Sequence, residues 1–359
     1  MTILCDDFNT KCKHVAIVVL NYNGWQDTIS CIESLLKLDY SSYEIIVVDN
    51  KSTDESLSKI ESWANGNIQV KADSIYFTRF IEPNIKKPLK VSFVNNTDSV
   101  CAEDGPSSNG ITLISSANNR GYAAGNNIGI SYILLNSIAE YVWILNNDVV
   151  VDPKSLTIMV DYIEKRTSTE KCGILGCKIK YYHNPNLIQC IGGATYNARW
   201  GLAHQVGNEE IDKGQYNDKR VHLDFITGAS MLVDVAFIKD VGLLEEDYFI
   251  YCEETDWYLR GKKNGWNLDY TDKAVIYHKE GATIHGNSGK LPYRSLLSDF
   301  YYCRNRILLT KSFFPKTYLP TVYMSVIATI LNRIRRRQFN RAKILTISLF
   351  NINKHFKTS

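Results

Sequence analysis

Three short apolar runs, each closing on polar residues, constrain the fold more than any other feature of the chain. Residues 14–22 read HVAIVVLNY, residues 43–50 YEIIVVDN and residues 141–148 YVWILNND. They are rich in β-branched residues, too short for core helices, and apolar throughout rather than alternating, as in strands buried on both faces. Between the first two, Ile29, Ile32, Leu35 and Leu36 recur at helical spacing. Ser52-Thr53-Asp54-Glu55 has the capping-box form, which predicts a helix start. Strands and helices in alternation predict an α/β fold with a mixed, mainly parallel sheet flanked by helices.

Residues 66–110 break the rhythm and read as an insertion with one or two small strands. ITLISS (111–116) resumes the sheet, and a helix is predicted over 122–136. Asp152-Pro153 suits an N-cap and first helical position, with a helix to about Lys165. Residues 173–226 read as strands and loops, 234–240 and 254–264 as helices, and AVIYH (274–278) as the closing strand. Residues 1–310 thus form one predicted α/β domain, followed by a basic, helical extension over 311–359.

With 359 residues, 45% apolar and 22% charged, the chain can bury a core without disulfide staples. Nine cysteines are scattered with no CxxC pair, which favours reduced thiols over a zinc site. The opening MTILCDDFNTKCKH does not read as a secretory signal. Net charge is +3, but Phe300–Ser359 holds twelve Lys or Arg and no acid, leaving −9 on the first 299 residues. TYLPTVYMSVIATIL (317–331) is shorter than a spanning helix and contains Pro320. Set beside Arg333, Arg335, Arg336, Arg337, Arg341 and Lys343, it suits a helix lying on an anionic membrane surface, or else a core helix with a solvated basic face. No nucleic-acid reader motif accompanies the charge.

Open α/β sheets bind ligands beyond the carboxyl ends of their strands. Asn21 and Asn23 follow the first run, Asp49 ends the second, and Asn146 and Asp148 end the third. Asp49 can accept a hydrogen bond from a base N–H, although a turn role is the commoner use of such a residue. Asp148, with Asn146 beside it, suits a hard cation such as Mg²⁺ or Mn²⁺ that completes its shell with water and phosphate oxygens. Gly121, Asn126 and Asn127 open a predicted helix whose backbone can approach an anionic or hydroxyl-rich ligand. The segment is neither a GxGxxG nor a P-loop. Glu253, Glu254 and Asp256 crowd a first helical turn, which raises a carboxyl pKa and favours a proton acceptor. His278 ends the last strand.

In order along the chain, VVLNYNG, IIVVDNKSTD, NNRGYAAGNNIGI, WILNNDVVVDP, FITGASMLV, YFIYCEETDWYLR and AVIYHKEGAT resemble glycosyltransferase family 2, with its GT-A fold, and within it the bacterial rhamnosyltransferase-like members. The resemblance implies an inverting, metal-dependent transfer from a nucleotide-diphosphate sugar, preferably dTDP-L-rhamnose, with UDP-sugars as the alternative. It implies that Asp49 reads the base, with Asn21 and Asn23 beside the nucleotide. Gly121, Asn126 and Asn127 would approach the donor, and Gly228 and Ala229 would form the turn below its sugar. Asp148 matches the last Asp of the DXD metal motif, Asn146 standing where the first would be. His278 would complete the metal or diphosphate site. Glu254, one methylene longer than the usual Asp, would be the catalytic base beside Glu253. Asp256 and Trp257 would face the acceptor.

Similar proteins build surface polysaccharides, such as lipopolysaccharide O-antigen, on glycan or lipid-linked glycan acceptors. They work peripherally at the cytoplasmic face of the bacterial plasma membrane. A sugar-1-phosphate nucleotidyltransferase would need a cationic phosphate loop where this chain has Asn21-Tyr22-Asn23-Gly24-Trp25. A non-catalytic scaffold would tolerate loss of Asp148 and the Glu253–Glu254 pair, both of which are present.

Overall fold

The computed structural model describes residues 12–95, 110–167, 170–280, 295–350 and 352. Part of the expected insertion, 96–109, lies outside them. The first half is a strand–helix alternation: β1 (Val15–Asn21), α1 (Trp25–Leu35), β2 (Tyr43–Asp49), α2 (Ser56–Ala64), α3 (Thr78–Ile81), β3 (Val91–Asn95), β4 (Ile111–Ser115), α4 (Gly121–Asn136) and β5 (Tyr141–Asn146). There follow β6 (Val149–Val151), α5 (Ser155–Thr167), β7 (Cys172–Tyr181), β8 (Ile188–Ile191), β9 (Gly193–Asn197), β10 (Leu202–Gln205), β11 (Phe225–Ile226), β12 (Ser230–Asp234), α6 (Val235–Val241), α7 (Glu253–Lys263) and β13 (Asn267–His278). Three helices end the chain: α8 (Leu296–Phe313), α9 (Leu319–Arg335) and α10 (Phe339–Phe350).

The main sheet runs β3-β4-β2-β1-β5-β12-β7-β13-β6, with β8 paired to β7. Strands β3, β4, β2, β1 and β5 are parallel, and β12 runs antiparallel between β5 and β7. The fold is therefore the expected mixed, mainly parallel sheet flanked by helices. Residues Val15–Val19 and Ile46–Val48 are fully buried, because helices cover both faces of these strands. Strands β9, β10 and β11 form a separate small antiparallel sheet.

Two predicted helix starts are displaced. Helix α2 begins at Ser56 behind Glu55, which has φ 62° and makes no side-chain cap. Ser52 is used elsewhere: its hydroxyl accepts from Asn21 Nδ2 and from the Asn23 N–H. Helix α5 begins at Ser155, whose N–H donates to the carbonyl of Asp152. The closing strand is longer than expected, because β13 continues back to Asn267 along β7.

The C-terminal helices pack on one another. Cys303 and Ile307 of α8 share a core with Val322, Val326 and Ile330 of α9 and with Ala342 and Leu345 of α10. Among the described residues no helix is long and apolar enough to cross a membrane.

Candidate active site

The carboxyl ends of β1, β2 and β5 meet in a buried polar network. Asp49 is 1% exposed. It accepts from Asn21 Nδ2 at 2.7 Å and from the Ser52 N–H at 3.0 Å. Asn21 in turn accepts from Thr28 Oγ1 at 2.8 Å. Asn21 is thus a brace that aims Asp49, whose carboxylate keeps lone pairs for a further donor. Asn23, with φ 52°, accepts from the Thr53 N–H at 2.7 Å and shapes the loop over Asp49.

Beside this network, Asp148 follows β5 and His278 ends β13; pairing of β13 with β6 sets His278 opposite Val149. His278 Nε2 lies 3.1 Å from Asp148 Oδ1 and 3.3 Å from the Asn146 amide nitrogen. His278 Nδ1 lies 2.9 Å from Gln189 Oε1, which accepts its proton. Burial opposes charge on the imidazole, yet Asp148's carboxylate outweighs it and holds the His278 pKa above its ordinary value. Among the described residues no cluster of three or more His, Cys, Asp or Glu side chains could hold a metal. The donors present are one carboxylate and one imidazole fixed by Gln189 through its far nitrogen, which leaves Nε2 as the nitrogen that could ligate. That set fits a divalent ion taking its other ligands from a diphosphate and water.

The acid pair opens α7. Glu253 is 2% exposed and its Oε2 has no hydrogen-bond partner. Burial, and then the charge of Glu254, push its pKa well above the carboxylate range. Burial also raises Glu254. Glu254 Oε1 accepts from the Gly228 N–H at 3.1 Å. The Gly228 carbonyl accepts from Tyr122 Oη at 2.6 Å. A Cβ on Gly228 would lie 2.6 Å from Glu254 Oε1 and 2.7 Å from Tyr122 Oη, so only glycine allows this approach. The Asn146 N–H donates to the Ala229 carbonyl at 3.3 Å, joining the Gly228 turn to the strand end that leads to Asp148.

Other expected residues are engaged elsewhere. Asp256 accepts from Arg260 Nε at 2.6 Å and from Tyr248 Oη at 3.1 Å, which ties its carboxylate to the body of the domain. Trp257 is fully buried against Phe237, and its Nε1 donates to the Gly242 carbonyl. Asn127 spends its amide on Leu244 and Glu246. Asn126 is buried with an unpartnered Oδ1. Gly121 has φ 95°, and a Cβ there would lie 2.2 Å from the Phe249 carbonyl oxygen.

Sequence reasoning passes over two groups. Tyr122 follows Gly121 and reaches across to the Gly228 turn, which no local pattern signals. The other group is on α8. Asn305 Nδ2 lies 2.8, 2.8 and 2.9 Å from the carbonyls of Tyr248, Ile250 and Tyr251. Arg304 Nη1 donates to the Asp247 carbonyl at 2.6 Å, and Tyr301 stacks on Phe249 at 4.7 Å. These contacts hold a backbone with φ 64°, 72° and 76° at Phe249, Tyr251 and Cys252, directly before Glu253. Non-glycine residues persist there only when their surroundings over-determine them.

Residues 91–290 match the family model described as Glycosyltransferase like family 2, and residues 16–74 match Glycosyl transferase family 2. The chain belongs to glycosyltransferase family 2. It is therefore a glycosyltransferase. The hexosyltransferase Agl10 of low-salt glycan biosynthesis in Haloferax volcanii is 24% identical over 317 residues, covering 87% of this chain and 80% of its own. The rhamnosyltransferase WbbL of Escherichia coli K12 is 24% identical over 201 residues, covering 54% of this chain and 74% of its own. Two solved structures share the fold at low identity. One is the mannosyltransferase PcManGT of Pyrobaculum calidifontis, in complex with GDP-Man and Mn²⁺, at TM-score 0.51 and 12% identity, covering 96% of this chain and 88% of that one. The other is GalNAc-T7 with UDP, GalNAc and Mn²⁺, at TM-score 0.53 and 13% identity, covering 89% of this family 2 chain and 55% of its own.

Proposed function

We propose that this glycosyltransferase moves a sugar from a nucleotide-diphosphate donor to an acceptor hydroxyl with inversion at the anomeric carbon, using Mg²⁺ or Mn²⁺. One observation carries the reading: Glu254, a carboxyl raised by burial and fixed by the Gly228 N–H, is joined to the strand end that leads to the Asp148–His278 pair by the Asn146–Ala229 hydrogen bond.

Asp49 accepts the base N–H with Asn21 holding its carboxylate in line. Asp148 and His278 would hold the metal, which when bound would neutralise charge on the leaving diphosphate. Glu254 takes the proton of the acceptor hydroxyl as its oxygen attacks the anomeric carbon from the face opposite the diphosphate. The bond to the diphosphate breaks with its electron pair on the leaving oxygen, so a second carboxylic acid is not required. Glu253, poised toward its neutral form, spares Glu254 a second full negative charge at close range.

The preferred donor is dTDP-L-rhamnose, which the family resemblance and the likeness to a rhamnosyltransferase support; a UDP-sugar is the alternative. The acceptor is a glycan or lipid-linked glycan of a surface polysaccharide. The proposal includes a catalytic domain to about residue 310, a C-terminal extension, and a peripheral place on the inner face of the bacterial plasma membrane.

The test is Glu254→Gln. Transfer should fall about 10²–10⁴-fold while donor affinity stays at the wild-type value. Wild-type turnover in that variant would remove Glu254 from the base role.

A further inference from the structure

Helix α9 carries two apolar stripes, and only one of them is used inside the protein. Val322, Val326 and Ile330 face α8 and α10 and are buried. Met324, Ile327, Leu331 and Ile334 recur at intervals of three and four, so they form a second stripe along one face. Their exposures are 53, 45, 60 and 45%. Phe339, 63% exposed, extends the stripe past the turn into α10. A helix serving only the core would carry polar residues on its outer face.

The same edge is cationic. Arg335, Arg336 and Arg337 are exposed at the α9–α10 turn, and no carboxylate side chain occurs anywhere from Phe300 onward. Arg341 is different in kind, because it pairs with Asp299 at 2.6 Å.

We propose that the outer face of α9, with Phe339 and the arginine turn, seats the protein on an anionic lipid bilayer. This rests on the reading of a lipid-linked acceptor and adds to it the face that meets the membrane. Apolar side chains at the acyl boundary with cations at headgroup level are what such a surface takes. A second copy of the chain fits less well, since the stripe and its arginine turn hold no carboxylate that could meet a partner's arginines. A nucleic acid would satisfy the arginines and leave the apolar stripe in water.

The seat is tied to the β9–β10 turn. Ser325 of α9 donates to the Trp200 carbonyl at 3.1 Å, Thr321 donates to the Arg199 carbonyl, and Arg306 of α8 donates to the Trp200 carbonyl at 2.9 Å. Seating α9 therefore sets this turn, with its exposed Trp200, beside the bilayer. An acceptor anchored by a lipid tail would be presented from that side.

The test is co-sedimentation of the full chain with phosphatidylcholine vesicles, with and without phosphatidylglycerol, at low and high salt. The wild type should pellet with the anionic vesicles and be released by salt. Replacing Arg335, Arg336 and Arg337 together by Gln should weaken binding on the order of 100-fold. Ile327→Asp with Leu331→Asp should abolish it while leaving the melting temperature unchanged, both positions being exposed. Equal binding to neutral vesicles, or full binding by either variant, would overturn the proposal. So would a lipid-free dimer that Ile327→Asp disperses. Transfer to a water-soluble acceptor should be the same in wild type and variants; its absence from all of them would count against the transferase mechanism and leave the membrane seat standing.

Discussion

The two halves of the site are built differently. On the side proposed for the donor, Asn21, Asp49 and Asp148 sit at or just beyond the ends of β1, β2 and β5, and parallel pairing from Val15 to Asn21 carries them to one edge. On the acid side, Glu253 and Glu254 follow a strained loop whose carbonyls are gripped by Asn305, more than fifty residues later in the chain. The first half is positioned by regular structure, the second by a distant side chain. The comparison teaches that precise placement can come from a sheet edge or from a clamp, and that the two should fail differently when mutated.

Asn305→Ala should expose that difference most strongly. Without the amide, the 248–252 backbone relaxes and the acid pair drifts, and a displacement of an ångström costs about 10²-fold in turnover. Donor affinity should fall far less, because Asn21 and Thr28 brace the Asp49 strand end and His278 faces Asp148, while only the Gly121–Tyr122 start of α4 touches this backbone, at Phe249. Steady-state kinetics with separate donor titration decides it: a matched loss of both quantities would mean that Asn305 merely supports the fold.

A smaller effect lies in the pH profile. Burial raises the pKa of Glu254, and a base acts only when ionised. Turnover should therefore rise with pH along a limb whose midpoint lies above about 4.3, the ordinary glutamate value. A limb at that ordinary value would show Glu254 to be solvated in the working enzyme.

The smallest is a stability change at Glu253. Its folded pKa is raised, so the native state holds a proton that the unfolded chain has released between the two values. Stability from this group is fully present below the unfolded pKa and is lost as pH rises through the folded one. Glu253→Gln should consequently raise stability at neutral pH by about 1–3 kcal/mol, with the gain disappearing at acid pH. Melting temperatures measured across that range test the sign.

What the sequence disclosed follows the same division. Asp49 and Asp148 were legible because a buried strand ending in a carboxylate is a local pattern with a period and a boundary. The crowding of Glu253 and Glu254 was equally local. Asp256 was expected beside them, but its partner Arg260 lies one helical turn onward and draws its carboxylate to the domain body. The family resemblance implies an acceptor-facing Trp257, whereas α6 covers it through Phe237. Tyr122 and Asn305 left no trace in the sequence, since each acts on a segment brought near only by folding. The tail was legible as apolar and cationic, but only packing separates the Val322 stripe from the Ile327 stripe.

The central claim is that Asp148 serves the donor while Glu254 serves the proton. Calorimetric titration of dTDP- and UDP-sugars into the wild type, Asp148→Ala and Glu254→Gln, each with and without Mg²⁺ or Mn²⁺, tests it most directly. Metal-dependent binding that discriminates one donor, is lost in Asp148→Ala and survives in Glu254→Gln, is the predicted result. Equal donor binding by the wild type and Asp148→Ala in the presence of either metal would contradict it.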